Sequence, residues 1–202
     1  MTEGTIVAAE KTTAGSAPRG AEHPTWNGAT AARALEESVR DGLLKPCRAL
    51  ILGADMVEEA ATLAKLGFEV LVTDTSAEAL ARAGQAVRAQ GGKIAAVRAD
   101  FFQVRQYFYG PVELIVERTL LPNLEPVRRA DWSYTVLRCL PKDGHLFGLF
   151  RVGRGASGPP YSMSADEVKK MLSRLLVLEA FAQVGNTGPG RDQAWKGVFR
   201  KK

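Results

Sequence analysis

Gly53 closes an apolar run at 48–52, and an aspartate, Asp74, closes a second run, rich in β-branched residues, at 68–73. An acid roughly 20 residues beyond the glycine of such a turn is placed to accept hydrogen bonds from ribose hydroxyls, while the glycine lets backbone approach a ligand. This spacing predicts an adenosine-containing cofactor. Further along, Asp100, Phe101 and Phe102 follow a third apolar run. At the carboxyl end of a strand Asp100 can accept from an adenine amine while Phe101 stacks on the ring; the same residues read equally as an acidic turn with two core phenylalanines. Glu117 and Arg118 end a near-continuous apolar run at 112–116, which puts two charges where active-site groups project from a sheet covered on both faces. Trp26, ahead of all these, either closes a ligand pocket from above or simply packs.

The elements that must position these side chains can be read from periodicity and punctuation. Residues 48–74 give strand, turn, helix and strand: the segment 57–65 is alanine, leucine and glutamate, and Gly67 stands after its last turn. Two strands joined through a helix pair in parallel with a right-handed crossover. Upstream, Thr30 is expected to cap a helix that carries Leu35, Val39 and Leu43 to the core. Thr75-Ser76-Ala77-Glu78 reads as a capping box for a helix that stops at Gly91-Gly92, and Ser164-Ala165-Asp166-Glu167 as another. Strands are expected at 94–98, 112–116 and 145–150, with a helix over about 127–140 between the last two. Strands at 176–183 and 194–200 form a terminal hairpin. Alternation of this kind predicts a doubly wound, Rossmann-like α/β sheet.

Composition excludes several function classes. With 46% of 202 residues hydrophobic, the chain can bury one substantial core, so residues 23–202 are expected to form a single domain. The net charge of +5 raises the question of nucleic acid, but Lys and Arg are scattered apart from the terminal Arg200, Lys201 and Lys202, and no basic stripe interleaved with aromatics is present. No nucleic-acid partner is expected. Cys47 and Cys139 stand at no metal-like spacing, which predicts a reduced compartment and no structural metal. No run approaches the ~20 apolar residues of a membrane span, and the chain start has no signal-peptide core, so a cytoplasmic monomer is expected. Residues 1–22, mostly Thr, Ala, Gly and Ser, bury too little to offset the entropy of ordering and are expected to be a disordered tail.

In order from about His23, the residues resemble the thiopurine S-methyltransferase family, a branch of the class I methyltransferases that use S-adenosylmethionine (SAM). Pro24-Thr25-Trp26 is similar to its Pro-Trp pair; Asp74 and Asp100-Phe101-Phe102 fall where it has an acid and an Asp-Phe-Phe. Glu117-Arg118-Thr119-Leu120-Leu121 is similar to its Asp/Glu-Arg-Thr-Phe-Leu, and Pro126 to Trp132 to its Pro-x-x-Arg-x-x-Trp/Tyr. Gly158-Pro159-Pro160-Tyr161-Ser162-Met163-Ser164 is similar to its Gly-Pro-Pro-Phe/Tyr-x-Val-Ser. The resemblance implies a seven-stranded sheet with the last strand antiparallel, and methyl transfer from SAM to sulfur or another soft nucleophile of a small molecule. It also implies a cofactor site at Trp26, Gly53, Asp74, Asp100 and Phe101, catalysis by Arg118 and Glu117, and an acceptor site at Arg118, Pro159, Pro160 and Tyr161. A thiol of pKa ~8.5 needs little help to ionise, and a cation such as Arg118 favours the anionic form.

The first turn departs from the family. Where the relatives have Gly-Cys-Gly-x-Gly, this chain has Gly53-Ala54-Asp55-Met56-Val57. A valine adopts positive φ only at a cost, and Asp55 faces the helix N-terminus where the family places the methionine carboxylate of SAM. Two like charges at 4 Å repel by about 1 kcal/mol in water and about 4 at an effective dielectric of 20. Asp55 is expected to cap its own helix, with Glu58 as the third residue of the box. The rival functions are a noncatalytic relative with a degenerate cofactor loop, and a nucleic-acid or protein-binding module on the same sheet.

Overall fold

A computed structural model describes residues 7–8, 27–108, 110–153, 158–184 and 193–202. Strand β1 (Val7–Ala8) lies at a sheet edge; the rest of the segment expected to be a disordered tail falls outside the described residues. Helix α1 (Gly28–Arg40) starts earlier than expected, because Asn27 rather than Thr30 is the cap: the Asn27 side-chain oxygen accepts from the Thr30 amide at 2.9 Å.

The βαβ unit is built as its residues dictate. β2 (Arg48–Leu52), α2 (Val57–Lys65) and β3 (Glu69–Asp74) follow in order, the strands pairing in parallel from Arg48 opposite Glu69 to Leu52 opposite Thr73. Gly67 at φ +87° turns the chain out of α2. α3 (Ala77–Ala89) is capped by Ser76, not Thr75, since the Ser76 hydroxyl accepts from the Ala79 amide at 3.2 Å. Then come β4 (Ile94–Arg98), a 3-10 helix at Phe101–Tyr107, β5 (Leu114–Glu117) and α4 (Leu120–Asn123). The single helix expected over 127–140 divides into a 3-10 turn, Pro126–Arg128, and α5 (Arg129–Cys139). β6 (His145–Val152), α6 (Ala165–Ser173), β7 (Leu176–Val184) and β8 (Gln193–Lys201) complete the chain. Both bonds of the α6 capping box form: the Glu167 amide donates to Ser164 Oγ at 3.1 Å and the Ser164 amide to Glu167 Oε2 at 2.7 Å.

The strands form one sheet in the order β1-β4-β3-β2-β5-β6-β8-β7, with β8 antiparallel to both β6 and β7. Leaving aside the two-residue edge β1, this is the expected seven-stranded mixed sheet. Side chains alternate across each strand, so Ala49 and Ile51 pack beneath α1, α2 and α3, while Leu50 and Leu52 face the layer of α5 and α6. Trp132, Phe147 and Phe199 are fully buried. Full burial of one such side chain contributes roughly 1.5–3 kcal/mol, which makes both layers obligatory.

β2 sits beside β3 on one side and β5 on the other, so the direction of winding reverses between β2 and β5. Ligands of open α/β sheets bind outside the carboxyl ends at such a switch point. The ends meeting there are Leu52-Gly53 and Glu117-Arg118-Thr119.

Candidate active site

Gly53 has φ +107°, and a Cβ added there would lie 2.8 Å from Thr119 Oγ1. Only glycine satisfies both the conformation and the close approach of the two strand ends. Asp74 then fixes the turn from the neighbouring strand: its Oδ2 accepts from the Ala54 amide at 2.8 Å and its Oδ1 from the Ser76 amide at 2.7 Å. A carboxylate has about four lone-pair sites, so two amides orient Asp74 without exhausting it. The rest of the turn is not what the sequence suggests. Val57 is simply the first residue of α2, and Asp143 is the one non-glycine residue with positive φ among those described. Met56, without a side-chain bond, occupies the cap position. Asp55 instead accepts from Arg82 of α3 at 3.1 Å, and Arg82 also donates to Glu78 at 2.7 Å. The charge that looked unanswered therefore has a cation beside it, and the α2 N-terminus is not closed by its own side chain.

Glu117 and Arg118 diverge from the end of β5. The Glu117 carboxyl is buried and caps α4, with Oε1 accepting from the Leu121 amide at 2.8 Å. Burial pushes its pKa up to about 8, against the opposing pull of the α4 amides and Arg118, so near neutral pH it holds its proton. Arg118 is 6% exposed and turns its Nε onto Glu59 of α2, which is wholly buried. Burial raises the Glu59 pKa too, in spite of the guanidinium beside it. Sequence reasoning missed Glu59 because an acid in the first turn of a helix ordinarily reads as a solvated group on the dipole. The pair ties the N-terminal turn of α2 to the end of β5, across the switch point.

Other predicted residues fall as follows. Trp26 lies outside the described residues. Asp100 caps the 3-10 helix through the Phe102 amide at 2.8 Å, and Phe101 is buried in the core while the Arg128 guanidinium lies 4.4 Å over the Phe102 ring. These are the local roles that the sequence offered as one of two alternatives. The Pro159-Pro160 bond is cis, and the Tyr161 amide donates to the Pro122 carbonyl at 2.6 Å. α4 is therefore the piece that brings the 158–163 segment to Glu117, although four residues around a proline gave no periodic signal. Among the described residues, five buried side-chain atoms have no hydrogen-bond partner: Glu59 Oε2, Glu117 Oε2, Asn123 Oδ1, Arg129 Nε and Trp132 Nε1. Buried polar groups are ordinarily satisfied, so each of these is an exception in the structure.

The sequence pattern of the thiopurine S-methyltransferase family matches residues 22–200. The chain belongs to this family. The thiopurine S-methyltransferase family is one of SAM-dependent methyltransferases, and the departures in the first turn are variations within it. No curated protein matches the chain. Among solved structures it is similar to the N-methyltransferase NodS from Bradyrhizobium japonicum WM9, at TM-score 0.66 and 19% identity over 86% of this chain and 94% of that one. A 1,6-didemethyltoxoflavin-N1-methyltransferase from Burkholderia thailandensis, with 1,6-didemethyltoxoflavin and S-adenosylhomocysteine bound, has TM-score 0.69 at 12% identity over 89% of this chain and 81% of that one. The magnesium protoporphyrin IX methyltransferase of Synechocystis PCC 6803 with S-adenosylhomocysteine has TM-score 0.69 at 12% identity, over 87% and 83%. At these identities the likeness is one of fold. Among the described residues no group of three or more metal-ligating side chains occurs, and no helix is long and apolar enough to cross a membrane.

The side chains present fit the family cofactor. Asp74, oriented by two amides at the end of β3, suits a ribose, and the α2 N-terminus without a side-chain cap suits a carboxylate once Arg82 offsets Asp55.

Proposed function

We propose that this protein transfers the methyl group of SAM to sulfur, or another soft nucleophile, of a small anionic molecule, acting as a cytoplasmic monomer. SAM supplies a methyl already activated on a sulfonium, so the protein has chiefly to hold two reactants in line. Asp74 takes the ribose hydroxyls, and Gly53 gives the turn into α2 the positive φ that it needs. Trp26, Asp100 and Phe101 enclose the adenosine, Phe101 by stiffening the wall from the core. Arg118 orients the anionic acceptor while Glu59 fixes its guanidinium. Glu117, kept neutral by burial, places no repelling anion beside a thiolate. Pro159, Pro160 and Tyr161 border the acceptor site through α4.

The observation that carries this reading is the intact Gly53–Asp74 arrangement at the switch point, in a chain of this family. Calorimetry with SAM and S-adenosylhomocysteine tests it. Both are expected to bind the wild type, and Asp74→Ala is expected to weaken them by at least tenfold, about the value of one charge-assisted hydrogen bond. A panel of small thiols then reads the acceptor. One observation favours a second reading, a noncatalytic relative: an aspartate stands in the first turn where the family has glycine. Absence of SAM binding by the wild type would select it.

A further inference from the structure

The end of the sheet opposite Gly53 holds an unassigned site. A cavity of about 470 Å³ opens where the chain enters β5 and leaves α5, and a second of about 260 Å³ shares Arg105, Arg138 and Cys139 with it. Leu50 and Val112 form an apolar floor, and Lys201 at the end of β8 adds a third cation. Among the described residues, no carboxylate side chain lines either cavity. The nearby acid, Asp143, is engaged by Arg200 at 2.7 Å.

Arg105, Arg138 and Lys201 line the larger cavity together with Cys139, and each opposes the burial that raises the pKa of its thiol. Part of their presence has a local explanation. Lys201 Nζ donates to the carbonyls of Leu137 and Leu140, and Arg105 to that of Arg138, so both satisfy the end of α5. A helix C-terminus offsets only about half a unit charge, against three here. Arg138 has no carbonyl or carboxylate partner among the described contacts; its guanidinium stands 5.7 Å over the Tyr134 ring.

We propose that this double cavity binds a small molecule carrying an oxyanion, a carboxylate or a phosphate, on an apolar body. Guanidinium groups match the fork of either oxyanion, and the floor accepts the remainder of the ligand. The site is separate from the methyl-transfer crevice and does not depend on the proposed reaction.

Cys139 supplies a readout inside the cavity. The full chain is alkylated with iodoacetamide at fixed pH and ionic strength, in chloride, in benzoate or in inorganic phosphate, and the rates at Cys139 and Cys47 are followed by peptide mass spectrometry. Benzoate or phosphate is expected to slow Cys139 alone, and the one that acts at lower concentration identifies the oxyanion. In Arg138→Gln, compared with its own rate in chloride, the half-protecting concentration is expected to rise about tenfold. Equal rates in all three salts overturn the proposal, as does protection that is unchanged in Arg138→Gln.

Discussion

At the scale of single residues, Arg118 and Asp55 depend most on their partners. Arg118→Met leaves Glu59 buried without its cation, and such breaks cost about 3–5 kcal/mol. We expect a large fall in thermal midpoint, and Glu59→Gln added to Arg118→Met should recover most of it by replacing the buried carboxyl left without its partner. Turnover of an anionic thiol should stay low in the double variant, whereas a neutral acceptor should lose less. Full recovery of turnover with the midpoint would show that Arg118 serves the fold alone. Asp55 is a partly exposed pair with Arg82, worth about 0–1 kcal/mol to stability. Asp55→Asn should therefore leave the midpoint almost unchanged, while SAM affinity, with Arg82 already offsetting the charge, rises by no more than about fivefold, the order of one Coulomb contact in water. An unchanged dissociation constant would mean that Arg82 already cancels the charge at the cofactor.

At the scale of elements, the turn from β2 into α2 and the short α4 are one device. Gly53 approaches Thr119 at the head of α4, and Asp74 holds the turn from the other side. Gly53→Ala meets two penalties, a positive φ costing about 1–3 kcal/mol and the contact with Thr119 Oγ1. Thr119→Ala in the same chain should remove the contact but not the conformational cost. Denaturant midpoints of the two variants separate these contributions; if the double variant regains wild-type stability, backbone conformation at Gly53 carries no cost. The α6 box was legible in sequence because all its bonds lie within one turn. α4 was not, since its first amides are satisfied by Glu117 from the preceding strand and Pro122 interrupts any pattern.

For the whole molecule, the buried acid Glu117 sets a pH dependence. Its folded pKa of about 8 lies above the ordinary 4.5, so the native state holds a proton that the unfolded state has released. This contribution to stability is complete below pH 4.5 and is lost as pH rises through about 8, at up to about 1.4 kcal/mol per pH unit within the window. Glu59, raised in the same direction by burial, adds to the slope. Glu117→Gln keeps an acceptor for the Leu121 amide and removes the titration. Its stability, followed by urea denaturation from pH 5 to 9, should fall less steeply than that of the wild type; parallel curves would show that Glu117 does not titrate in this range.

What the chain determined alone is whatever rests on local contacts. Strand composition, the glycine stops and the alternation of elements gave the parallel sheet and its terminal hairpin, and the order of short motifs gave the family. The helix caps were near misses, with Asn27 and Ser76 chosen over Thr30 and Thr75 by the amides each could reach. Tertiary structure decided everything that depends on a partner far along the chain: Glu59 beneath Arg118, Arg82 beside Asp55, Thr119 against Gly53, and three cations from separate elements around Cys139. A charge in sequence has no stated environment, and its energy is fixed by burial and by the sign of whatever folding brings within a few ångströms.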